Sequence, residues 1–102
     1  MSSRQREGCT LLSLFSIGGY RMFFRPGEEG EPVHVHVAKG RPTPDATKLW
    51  LTSAGGCVLA HNKGRIPSKD LKAIERIVAA QHDMICREWK SYFDVESVSF
   101  LV

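Results

Sequence analysis

The sequence predicts an α+β fold: a small antiparallel sheet of about four or five strands packed on one long C-terminal helix. Three observations predict it. Before residue 62 the apolar residues come in short runs bounded by Gly or Pro, the punctuation of strands and turns. One of these runs, Val33-His34-Val35-His36-Val37, alternates with period two. From Lys69 to Phe93 neither Gly nor Pro occurs, and Leu71, Ile74, Val78, Ile85, Trp89 and Phe93 recur at helical spacing as one apolar stripe.

Residues 1–9 are polar and read as a flexible N-terminus, leaving residues 10–102 as a single domain. Arg4 and Arg6 ahead of Thr10–Ile17 faintly resemble a signal peptide. Two serines interrupt the apolar run, Glu7 sits in the basic part and no A-x-A site follows, so the run is read as the first strand. Gly18-Gly19 ends it, and Tyr20–Phe24 forms the next strand. Pro26-Gly27-Glu28-Glu29-Gly30 is a long acidic hairpin tip, where Pro sets one φ and Gly frees another. The Val/His alternation is the returning strand, with valines on one face and histidines on the other. Two prolines in Gly40–Asp45 forbid ladder bonds there. Thr47–Thr52 and Cys57–Ala60 then read as a second hairpin, and His61-Asn62-Lys63-Gly64 turns the chain toward its helix. Ser68 is expected to cap that helix through its hydroxyl, with Asp70 near the positive end of the dipole. Beyond the helix, the alternation Val98, Phe100, Val102 predicts a final short strand that closes the sheet.

Composition narrows the function classes. With 42% hydrophobic and 25% charged residues the chain is of ordinary soluble type, and no run nears the ~18 apolar residues that span a bilayer. No membrane partner is expected. Cys9, Cys57 and Cys86 are scattered and form no C-x-x-C pair, which suits a reducing, cytoplasmic setting. The net charge of +3 is modest, but Lys39, Arg41, Lys48, Lys63 and Arg65 face only Asp45 between residues 39 and 65. Such a local field attracts phosphate or an acidic protein surface, or is simply solvated. No Gly-rich phosphate loop, G-x-S-x-G elbow or H-E-x-x-H occurs.

Gly19-Tyr20-Arg21-Met22-Phe23-Phe24, Pro32-Val33-His34-Val35-His36-Val37 and Gly64-Arg65-Ile66-Pro67 before a helix ending near Trp89 together resemble one family. It is a family of small, mostly bacterial proteins known as domain of unknown function 4160, marked by a Pro-Pro-His-Phe-His-Val motif. The resemblance covers about Leu14 to Phe93. Val33 replaces the second proline, Val35 replaces Phe, and the preceding turn is longer and more acidic. The two histidines match. The resemblance implies gene pairs of toxin–antitoxin or mobile-element type, and hence a small partner protein or nucleic acid.

The chemistry-bearing candidates are few. His34 and His36 share a strand face, ~6.5–7 Å apart along the backbone, and offer two imidazoles to a partner, a phosphate or a metal. A catalytic zinc needs three protein ligands, so these two require another, with His61 or His82 usable only if the fold brings them near. The bland alternative is that both rings hydrogen-bond within the hairpin. His82 falls near the middle of the buried helix stripe and reads as a satisfied core histidine. Arg21, Arg25, Lys39 and Arg41 join the histidines in a basic, aromatic-flanked surface of nucleic-acid-binding composition. A second helix stripe of Ala73, Ile77, Ala80 and Met84 is a candidate homodimer or partner interface, or scattered surface apolarity. The leading expectation is a non-enzymatic module contacting a partner protein or nucleic acid through the His-x-His hairpin and basic loops, without a cofactor. The alternatives are a small ribonuclease-like toxin with His34 or His36 as general base, and a metal-binding accessory protein using the same pair.

Overall fold

Seven elements follow one another along the chain: β1 (Leu12–Ile17), β2 (Tyr20–Phe24), β3 (His34–Lys39), β4 (Thr47–Leu51), β5 (Cys57–His61), α1 (Ser68–Ala80) and α2 (His82–Phe93). They come from a computed structural model that describes residues 11–102. The expected flexible segment 1–9, and Cys9 with it, lies outside the described residues. The five strands form an antiparallel meander in the order β1-β2-β3-β4-β5, as the sequence predicts for an α+β chain. Gly18 and Gly19, at φ 58° and 85°, supply the two left-handed residues that a tight β1–β2 hairpin turn requires.

The period-two pattern sorts the sheet as expected for the valines. Val35 and Val37 join Met22, Phe24, Leu49 and Leu51 in the main core, against Ile74, Val78, Ile85 and Trp89 of the helices. Phe24 lies 5.2 Å from the Trp89 ring in an edge-on arrangement, and Trp89 lies 4.4 Å from Phe93. Aromatic pairs of this kind contribute about 0.5–1.5 kcal/mol each beyond simple burial. A smaller cluster of Phe23, Ala38 and Ala46 forms apart from this core.

The helical segment corrects the expectation of one long helix. It breaks at Gln81 (φ −102°, ψ 17°), whose N–H is shared between the carbonyls of Ile77 and Val78. At ~100° per residue, Ile74, Val78, Ile85 and Trp89 share an arc of roughly 60°, with the two pair centres only about 20° apart, so the stripe itself does not require a break. Two shorter helices can each turn their own buried pair, Ile74/Val78 and Ile85/Trp89, onto a twisted sheet. Ser68 does not cap α1. The cap position is Pro67, with no side-chain cap bond, and Ser68 is already helical.

The final strand does not form either. The tail after α2 is irregular but is held to the sheet's loops: Val33 N–H donates to Ser99 O at 2.9 Å and Ser53 N–H to Val102 O at 3.0 Å. Val98 and Phe100 pack against the core. The alternation therefore reflects one-sided packing without ladder pairing. Among the described residues, no helix is long and apolar enough to cross a membrane.

Candidate functional site

Two chemical features stand out, and neither is the exposed His-x-His face that the sequence suggests. The first is buried. Both imidazoles are removed from solvent, with His34 0% and His36 3% exposed. The acidic tip between β2 and β3 folds back onto its own strand, so Glu28 Oε1 meets His34 Nε2 at 2.8 Å and His36 Nε2 at 3.0 Å. His34 Nδ1 donates to Pro32 O at 2.8 Å, and its ring is wedged between Trp50 and Trp89, with centroids 5.4 and 5.2 Å away. Glu31 of the same tip binds Lys48 Nζ at 3.0 Å, and that ammonium also sits 4.2 Å from the Trp50 ring centre.

The electrostatics follow from this packing. Burial alone would raise the Glu28 carboxyl. The hydrogen bonds from His34 and His36, and the attraction of both rings, outweigh it and hold Glu28 well below the usual carboxylate range. Burial pushes His36 down, against the upward pull of Glu28. His36 Nδ1 is buried without a hydrogen-bond partner.

The second feature is a cleft of about 700 Å³ between the end of β3, the β3–β4 loop and the turn before α1. Lys39, Lys63 and Arg65 line it against the single carboxylate of Asp45. The turn that carries two of these cations is tightly pinned. Asn62 Oδ1 accepts from the Thr47 hydroxyl at 2.6 Å and from Ile66 N–H at 3.0 Å, while Asn62 Nδ2 donates to Ile66 O at 3.0 Å. Gly64 N–H donates to Thr47 Oγ1 at 3.1 Å. A Cβ at Gly64 would meet that oxygen at 2.8 Å, so this close approach needs glycine. Arg65 is held at φ 55°, a left-handed conformation that costs a non-glycine residue about 1–3 kcal/mol. His61, beside the turn, is pushed down by burial and then by the positive charges of Lys63 and Lys48.

The other expected site residues are dispersed. Arg21 is half-buried on β2, paired with Ala38. Arg25 donates to Thr43 O and lies 5.6 Å from the Phe23 ring centre. Lys39 reaches both the cleft and the Tyr20 ring, 5.2 Å away, and Arg41 is exposed in the β3–β4 loop. Neither His61 nor His82 joins the buried cluster. Among the described residues, the donor group close enough to share one cation is Glu28, His34 and His36. Of the second helix stripe, Ala73, Ile77 and Met84 are half-buried and Ala80 is exposed.

Against known proteins, the family model described as Domain of unknown function (DUF4160) matches residues 19–90. The chain belongs to this family. The matched stretch runs from the β1–β2 turn to the last turn of α2, and so contains both features. Nothing among the curated proteins or the solved structures matches the chain. In this DUF4160 domain, sequence reasoning passed over Glu28 and treated Lys63 and Arg65 only as part of a charge run. The available signals were an acidic tip six residues before a His-x-His strand and the cation-rich turn Asn62-Lys63-Gly64-Arg65.

Proposed function

We propose that this DUF4160 domain is a non-enzymatic binding module that grips the phosphate backbone of a nucleic acid in the Lys39–Lys63–Arg65 cleft. The observation that carries this reading is the convergence of three cations from two separate segments on one cleft, opposed by one carboxylate. Two of them sit on a turn whose backbone is fixed by Asn62 and Thr47 before any ligand arrives. Preorganised cations bind a polyanion without first losing loop entropy. The strain at Arg65 supports the same reading, since backbone in sparsely populated regions concentrates at functional positions.

The cleft replaces the His-x-His strand as the contact surface. A general base must reach the proton that it abstracts, and rings 0% and 3% exposed favour a binding role over a ribonuclease-like one. A nucleic-acid module also fits the toxin–antitoxin or mobile-element setting that the family resemblance implies.

Fluorescence anisotropy with labelled single-stranded RNA and duplex DNA at low salt tests the proposal. Binding is expected to weaken as salt rises, because phosphate neutralisation releases counterions. The Lys63→Glu/Arg65→Glu variant should bind about tenfold or more weakly, with a salt slope shallower by ~2. Unchanged anisotropy with every probe at low salt would sink the reading.

A further inference from the structure

His34 cannot satisfy both of its contacts as a neutral ring beside an ionised Glu28. His34 Nδ1 faces the Pro32 carbonyl at 2.8 Å, and a carbonyl only accepts, so Nδ1 carries the hydrogen. In a neutral imidazole Nε2 is then a bare lone pair, yet it sits 2.8 Å from Glu28 Oε1, which also only accepts while ionised. His36 Nδ1 has no hydrogen-bond partner, so the neutral ring donates Nε2–H to Glu28 Oε1, and a cation held at Nε2 would move that hydrogen to Nδ1. Two imidazole nitrogens and a carboxylate oxygen converge within 4.8 Å of one another. Either an extra proton or a cation must lie between His34 Nε2 and Glu28 Oε1.

Geometry and chemistry both suit the cation. First-row divalent ions bind imidazole nitrogen and carboxylate oxygen at about 2.0–2.2 Å, which places ligand atoms about 2.8–3.1 Å apart in an octahedral site and about 3.3–3.6 Å apart in a tetrahedral one. The Nε2–Oε1 separations are 2.8 and 3.0 Å, the octahedral spacing, and open by about half an ångström for tetrahedral zinc. Two His and one carboxylate form a recognised donor set for zinc or ferrous ions, leaving further positions for water or an exogenous ligand. The His34 Nδ1–H bond to a backbone carbonyl is the outer contact that orients a ligating ring. The Trp50 and Trp89 rings supply an apolar wall that limits solvent access.

We infer that Glu28, His34 and His36 form a binding site for one divalent first-row transition-metal ion, held through both Nε2 atoms and the Glu28 carboxylate. The ion clips the acidic tip onto β3. This site is separate from the basic cleft, and its test does not depend on nucleic-acid binding.

The test is a titration of untagged, chelator-stripped protein with zinc(II), read by native mass spectrometry, and with cobalt(II), read by absorption and tryptophan fluorescence. One equivalent of zinc is expected, with quenching of Trp50 or Trp89 by cobalt. Glu28→Gln keeps the size of the side chain and should weaken zinc binding by more than the ~10–100-fold that losing a mere supporting contact costs. His61→Ala should leave it unchanged. Should Glu28→Gln misfold, the wild type still decides: ligand-field bands of bound cobalt and a zinc-dependent rise in Tm are expected. The inference is overturned if the wild type takes up no stoichiometric ion, or if uptake survives in folded Glu28→Gln or disappears in His61→Ala.

Discussion

The Tyr20 phenol donates a 2.8 Å hydrogen bond to Asp70 Oδ2, joining the first residue of β2 to the first turn of α1 across a separation of fifty residues. The bond, then burial, then the Asp70 charge all raise the phenol pKa, because each disfavours a phenolate. Tyr20→Phe should cost about 1 kcal/mol in urea denaturation, since a half-exposed partner recovers part of its solvation. The sign of the pH dependence is fixed. A folded-state pKa above the unfolded value of ~10 contributes stability that is complete below about pH 10 and is lost as pH rises through the folded value. The stability difference between wild type and Tyr20→Phe should therefore hold steady at neutral pH and change only on the alkaline side. No difference at neutral pH would mean that the bond does not link sheet to helix.

Cys57 is expected to be an inert thiol. Burial, and then the nearby Glu75 charge, push its pKa up to about 11, while Sγ–H donates to Glu75 O at 3.4 Å. At pH 7.5 almost none is thiolate, and the thiolate is the species that alkylates. Iodoacetamide labelling followed by peptide mass spectrometry should find Cys57 slow at pH 7.5, faster toward pH 10, and fast at either pH in urea. Labelling at the rate of a free thiol in the native state would contradict its packing.

How much could be read from sequence depended on whether a feature was local. The strands were legible because Val33, Val35 and Val37 alternate against Gly and Pro boundaries, and the pleat itself has period two. The helix break at Gln81 was not legible. No Gly or Pro marks it, and the apolar stripe of Ile74, Val78, Ile85 and Trp89 keeps one phase straight through it. Ser68 carries the right chemistry for a cap, but Pro67 takes the cap position one residue earlier. The tail from Val98 to Val102 alternates like a strand, yet docks through Ser99 O and Val102 O onto loop residues Val33 and Ser53. The His-x-His pair was visible, whereas its burial was not. That depends on the acidic tip reversing so that Glu28 covers the rings, which no periodicity encodes. Lys39, Lys63 and Arg65 were visible as charges, and only the β3-β4-β5 pairing brings them to one cleft.

His82 shows the same limit and yields a prediction of its own. Its phase in an unbroken helix points to the middle of the buried face, but it begins α2 and is half-buried. Nε2–H donates to Thr52 O at 2.7 Å, and the ring stacks on Phe100 at 5.8 Å with a 13° tilt. The contact joins the start of α2 to the β4–β5 turn and the tail. His82→Ala should lower stability by about 1 kcal/mol, from the lost hydrogen bond and ring stacking, since Thr52 O keeps its bond from Gly55 N–H. RNA affinity should not change, because the cleft lies elsewhere. A folded His82→Ala protein that had lost nucleic-acid binding would move the site to this end of the molecule.

Arg65 separates stability from binding most sharply. Its φ of 55° is strained for arginine and natural for glycine, so Arg65→Gly removes strain while it removes a cleft cation. The gain is reduced by the greater freedom of glycine in the unfolded chain, leaving a net change between about zero and 1 kcal/mol in favour of the variant. Most substitutions act the other way, since the common outcome is a loss of about 1 kcal/mol. If the arginine is kept for its charge in the cleft, Arg65→Gly should match or exceed the wild-type Tm and still bind RNA several-fold more weakly. Arg65→Lys should bind close to wild type, because a cation remains on the same turn. Loss of Tm with unchanged RNA affinity would instead make Arg65 a packing residue, and the strain would then have no connection to the cleft.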